Sequence, residues 1–149
     1  EMTSSLVGSE MCIRDRFGRG PHESYDDRKE SAYVGIYNGI VSEQSFPHIM
    51  PQENGNKTDN RWLEIYDDFG SGIRITGKPF FNFNIQNYSD KDLNRSKKAH
   101  TLIRGEKNWL HIDYKQMGLG GDDSWSPRVH KEFLLKNKVY HYTYAIEPL

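Results

Sequence analysis

The most unusual stretch of the chain is MGLGGDDSWSP at residues 117–127, in which Gly118, Gly120 and Gly121 precede Asp122, Asp123, Ser124 and Trp125. Three glycines in four residues let the backbone take positive φ and come close to another surface. Hydrolysing a glycosidic bond needs two carboxyl groups about 5 to 10 Å apart, aimed at one sugar from opposite sides. Asp122 and Asp123 are neighbours and point apart, so they make a poor pair for that work. Trp125 suits a different task, because an aromatic ring covers the C–H face of a sugar without needing a charge. A buried anchor that holds the loop is an equally good reading, and residue chemistry does not choose between them.

Other constellations carry less. The string FGRGPHESYDDR at residues 17–28 is rich in glycine and charge, but it lacks the GK[ST] ending of a phosphate loop and no helical pattern follows it. A structural turn with buried Glu, Asp and Arg cross-links fits it better. None of the six His lies in an HxxxH or HExxH pattern, and no Cys is close by to complete a zinc site. His111 and Asp113 are two apart on a strand pattern and so share a face, which makes half of a metal site or, more simply, a polar outer face. No GxSxG elbow occurs. Sequons at Asn56, Asn87 and Asn94 have no meaning without a secretory route.

The elements that must position these residues are strands. Among 149 residues there are 3 Trp, 9 Tyr and 7 Phe, an aromatic load that favours sheet over helix. Lys+Arg number 20 against 21 Asp+Glu, so there is no basic footprint for nucleic acid or an anionic membrane. A single Cys excludes a disulfide scaffold, and no apolar run reaches the ~18 residues of a membrane span.

Residues 1–16 stand apart: they contain Cys12 and none of the aromatic residues. They lack the cationic start and continuous apolar stretch of a signal peptide. SSLVGSEMCIRDR is similar to translated sequencing-adaptor read-through, so residues 1–16 are expected to be a non-native or disordered tail. Setting them aside leaves 18 cationic against 18 acidic residues.

After that point, short alternating segments are separated by turn residues. Residues 62–66, 73–75, 81–86, 109–113 and 140–146 read as half-buried strands with one wet face. Phe81, Phe83 and Ile85 point inward there, and Asn82, Asn84 and Gln86 outward. Residues 67–72 form a hairpin loop with two glycines. Ser89 is placed to cap a helix over residues 90–99, with Asp92 at N3 of a capping box. Residues 41–60 read as a long ordered loop.

Two motifs go further. Residues 17–28 resemble the GxGPxExYxDR signature of the C-terminal domain of family 2 β-galactosidases, and residues 117–127 resemble the MGxGGDDSWSP motif near the end of the same enzymes. Pro51-Gln52-Glu53-Asn54-Gly55, the strand from Phe81 to Ile85, Tyr88-Ser89, His100 and Tyr140-His141-Tyr142 follow the same pattern, so the resemblance covers residues 17–149.

It implies an all-β fold, an antiparallel β-sandwich of the galactose mutarotase-like supersandwich type. Here that sandwich is incomplete, is the C-terminal half of the small chain domain, and carries one short helix. It implies retaining hydrolysis of lactose and other terminal β-galactosides, by a Glu pair in a separate barrel domain. No catalytic residue is then expected in this chain. Trp125 is the sugar-stacking residue, and Gly120, Gly121, Asp122, Asp123 and Ser124 shape its loop. No cofactor is expected in the fragment, and the divalent and alkali metal ions of a parent enzyme would be bound mostly elsewhere. The implied partners are a β-galactoside substrate and the rest of the enzyme chain or a large subunit, in an oligomer, with no nucleic acid or membrane. The implied location is the cytoplasm. The competing readings are a stand-alone galactose-binding module, using Trp125 and an outer-face aromatic such as Trp109, and a structural assembly domain.

Overall fold

The computed structural model describes residues 2–7, 11–123, 125, 128–137 and 139–149, with the backbone alone at 2–7. Seven strands are found among them: β1 (Met2–Val7), β2 (Cys12–Gly20), β3 (Tyr33–Ile40), β4 (Lys57–Tyr66), β5 (Gly72–Gln86), β6 (Lys107–Asp113) and β7 (Thr143–Pro148). Every pairing is antiparallel. The order is β1-β6-β5-β4-β2-β3, and β7 pairs with β5. The fold is therefore all-β, open and sandwich-like, with one short helix. No helix among the described residues is long and apolar enough to cross a membrane.

β5 organises the sheet. Its first half, Ile73 to Lys78, lies along β7, and its second half, Asn82 to Gln86, lies along β6. Against β4 the register jumps from Trp62↔Thr76 to Asn60↔Phe81, so residues 77–80 bulge out and the long strand turns there. Ile13, Leu63, Ile65, Ile75, Phe81, Phe83, Ile85, Leu110 and Ile112 form the core, each at 3% exposure or less. Residues 1–16, set apart by composition, include β1 and the start of β2, and Ile13 joins that core.

Local signals give the expected local structures. Asp67 closes the hairpin by accepting the Phe69 and Ser71 N–H groups, each at 2.9 Å, and Gly70 takes φ +83°. Ser89 caps α1 (Asp90–Arg95) through the full capping box with Asp92. The helix stops at six residues rather than continuing to residue 99. Leu93 is its only buried residue, and Asn94 to Lys98 offer no apolar face to sustain another turn.

Other expectations change as well. The loop expected at 41–60 ends earlier, because β4 starts at Lys57. Its first residues are polar yet buried: Thr58 and Asn60 are fully enclosed, and the Asn60 amide donates to the carbonyls of Lys57 (2.6 Å) and Phe81 (3.1 Å). The amide face of β5 is also not wet. Asn82, Asn84 and Gln86 are 5%, 1% and 1% exposed. The segment 53–54 lies over Asn84, whose amide donates to Glu53 (Oε1, 2.7 Å) and to the carbonyl of Asn54.

Candidate functional site

The first motif folds into a pinned turn. Tyr25 and Arg28 exchange backbone hydrogen bonds of 3.2 and 2.8 Å, leaving Asp26 and Asp27 at the tip. Tyr25 is buried beneath it, and burial pushes its phenol well above the ordinary range. The turn is stitched to the start of β4: Ser24 N–H donates to the Asn56 carbonyl at 2.7 Å, and the Ser24 and Thr58 hydroxyls meet at 2.8 Å. Glu23 takes the Gly55 N–H at 2.9 Å and pairs with Arg28. Burial alone would raise the Glu23 carboxyl, but the Gly55 and Arg28 hydrogen bonds outweigh it and hold the group below the usual carboxylate range. The cross-linked turn expected from the sequence is present, but its cross-links are not buried: the Arg28 side chain that pairs with Glu23 is 61% exposed, and Asp26 is only partly covered.

The second motif is a loop anchored by short-range contacts. Gly118 N–H donates to the Phe133 carbonyl at 2.9 Å and closes the base. Asp122 bonds His130 at 2.7 Å, and Asp123 accepts the Trp125 N–H at 2.9 Å. The hydrogen bond from Asp122, reinforced by its charge, raises the His130 imidazole above its ordinary value. The Trp125 indole is 91% exposed. It is not a buried anchor in this chain. Gly118 and Gly121 serve close approach rather than positive φ: a Cβ on Gly118 would lie 2.6 Å from Asp27 Oδ2, and one on Gly121 would overlap the Arg128 carbonyl. Ser124 lies outside the described residues.

The two motifs meet. Gly120 N–H donates to Asp27 Oδ2 at 2.8 Å across 93 positions of sequence. Beside the junction a cavity of about 930 Å³ opens, with Met117 and Leu119 on one side. Glu53, His111 and Asp113 line it, and the stacked rings of Tyr114 and Tyr142, 5.6 Å apart, form a wall. Burial raises the Glu53 carboxyl, opposed by the Asn84 hydrogen bond and the neighbouring His111, while Asp113 adds to the rise. His111 and Asp113 do share a face, as strand alternation requires, with His111 Nε2 3.6 Å from Asp90. Among the described residues no group of three His, Cys, Asp or Glu side chains is arranged to hold a metal ion.

Sequence reasoning thus placed Gly120, Gly121, Asp122, Asp123 and Trp125 on one loop, where they lie. It missed Asp27 as the contact of that loop and Glu53 as part of the cavity. The available signal was that both belong to stretches matching the same pattern, at 17–28 and 51–55.

Comparison with known proteins gives the family. The beta galactosidase small chain family matches residues 15–146. A β-galactosidase of Priestia megaterium is 42% identical over 134 residues, covering 89% of this chain and 13% of that enzyme. One of Vibrio cholerae is 44% identical over 126 residues, covering 85% and 12%. One of Streptococcus thermophilus is 34% identical over 145 residues, covering 96% and 14%. The chain spans about an eighth of the length of these curated relatives. On this match, the chain belongs to the beta galactosidase small chain family.

Proposed function

We propose that this chain is a C-terminal domain fragment of a β-galactosidase. It supplies Trp125 as a stacking platform for a terminal β-galactoside or its leaving group. The hydrolysis is carried out by a Glu pair on a barrel domain outside this sequence. The observation that carries the reading is that Trp125, inside the stretch that matches the family motif, is 91% exposed, while Gly118, Gly120, Asp122 and Asp123 of the same stretch are held by hydrogen bonds, which leaves its ring free to cover the C–H face of a sugar. Asp122 and Asp123 are engaged by His130 and the Trp125 N–H, which suits loop-shaping rather than acid/base work. The fragment alone is inactive in this reading. No cofactor is assigned to it, and divalent or alkali ions serving the parent enzyme are held mostly elsewhere. The rest of the enzyme, as one chain or as a large subunit in an oligomer, is its partner, and the cytoplasm is its place of work.

The test is a chimera in which this chain replaces the matching stretch of the Priestia megaterium β-galactosidase. Covering about 80 Å² of ring at about 25 cal/mol per Å² is worth about 2 kcal/mol, so Trp125→Ala should lower kcat/KM for lactose about 30-fold. The isolated chain should not turn over a chromogenic galactoside. Unchanged kinetics in the Trp125→Ala chimera, or turnover by the isolated chain, would overturn the proposal. Galactose binding by the isolated chain in isothermal titration, abolished by Trp125→Ala, would establish the stand-alone binding module in its place.

A further inference from the structure

We infer that Asp27 is the positioning residue for Trp125, acting through the amide of Gly120. The inference rests on the stacking role proposed above and extends it to a residue in the other motif. β6 ends at Asp113 and β7 starts at Thr143, and the bonds Gly118 to Phe133 and Asp122 to His130 lie between the two strands. Such bonds fix the loop's internal shape. They do not fix where it sits relative to the strands. Asp27 supplies that link: its Oδ2 accepts the Gly120 N–H at 2.8 Å.

Asp27 is fit for this because its own place is over-determined. It stands at the tip of a turn closed by two reciprocal backbone bonds, above the buried Tyr25. That turn is tied to β4 through the pairs Ser24–Asn56 and Ser24–Thr58, and through Glu23 to Gly55. Its neighbour Asp26 points to Lys29 (3.1 Å), so the two carboxylates are divided between holding the turn and holding the loop. The loop side is shaped to receive it. Gly118 passes so close that a Cβ there would lie 2.6 Å from Oδ2 and 2.9 Å from Phe133 Cβ. A hydrogen bond from a neutral amide to a carboxylate is among the stronger kinds, and it gives the loop one docked position instead of several. Trp125 lies five residues beyond Gly120, past Asp122 and Asp123, so a loop released from Asp27 carries its indole away from a fixed point.

The experiment is a double-mutant cycle in the same chimera. Asp27→Ala should lower kcat/KM for lactose about 10-fold, the scale of a lost hydrogen bond to a charged acceptor. Asp27→Asn, which keeps an acceptor oxygen, should recover most of that loss. The combination with Trp125→Ala should be no worse than Trp125→Ala alone, because Asp27 then has nothing left to position. Losses that multiply, or wild-type kinetics in Asp27→Ala, overturn the inference while leaving the stacking role intact. A silent Trp125→Ala overturns the stacking role itself and the inference with it. Should Asp27→Ala fail to fold, Gly118→Ala decides, since its methyl group forces the loop off Asp27 from the other side: a loss absorbed by Trp125→Ala supports positioning, and an independent loss or none overturns it.

Discussion

Lys57 offers a sharp test of the fold's electrostatics. It opens β4 at 2% exposure, with its ammonium donating to the Gly55 carbonyl at 2.8 Å and to the Gln44 carbonyl at 3.4 Å. Burial, then the neighbouring Arg16, pushes its pKa down to about 7, with Glu23 opposing. In the unfolded chain the same amine titrates near 10.5. Below about pH 7 both states hold the proton and the folded state bears the full cost of a buried charge. Between about 7 and 10.5 the folded protein releases a proton that the unfolded chain keeps, so stability rises with pH by up to about 1.4 kcal/mol per unit. From pH 7 to 9.5 the gain is about 3 kcal/mol, which at a urea m-value of about 2 kcal/mol per M moves the midpoint up by about 1.5 M. Lys57→Met removes the ionisable group and should flatten that rise. It also deprives two carbonyls of their donor, at a cost of about 1–3 kcal/mol that does not vary with pH. The diagnostic is therefore the slope and not the height. Urea titrations followed by tryptophan fluorescence at several pH values give both. Parallel curves for the two proteins would refute the placement of Lys57 as a buried, strained charge.

Two further outcomes are expected. The His130 imidazole, raised by Asp122, should titrate above an ordinary histidine, and Asp122→Asn should return it toward that value; the loop's ion pair is present below the raised pKa and lost as pH climbs through it. Proton NMR of the ring resonances reads this directly, and an unmoved His130 in the variant would contradict the pairing. Phe83→Ala, at a core position 1% exposed where β5 meets β4 and β6, should destabilise the fold by about 3–5 kcal/mol in chemical unfolding, and a cost below about 1 kcal/mol would show that the site is not packed as described.

What the sequence made legible was what short stretches decide among themselves. Phe81, Phe83 and Ile85 face one way because strand geometry alternates side chains, and the Ser89–Asp92 capping box closes over four residues. The hairpin at Asp67 needs only its own acceptor and Gly70. The loop with Trp125 was legible as a unit for the same reason. What escaped was burial of polar residues. Asn82, Asn84 and Gln86 alternate like a solvent face, yet all three are buried, and the Asn84 amide reaches Glu53 and Asn54 across the fold. Lys57, Thr58 and Asn60 hid the start of β4 because their partners are carbonyls and hydroxyls that no hydropathy pattern records.

Strand alternation, the family motifs and the residues available for chemistry can all be read along the chain without knowing how it folds. Which of them touch depends on the folded sheet. Asp27 and Gly120 are 93 residues apart, and nothing local in either motif specifies the other as its partner. Their contact arises because the turn at residues 25–28 is stitched to β4 while the loop springs from the end of β6, and the sheet sets those two points side by side. Alternation is a property of the backbone at each residue, whereas a hydrogen bond between remote motifs requires the whole sheet to bring its ends together.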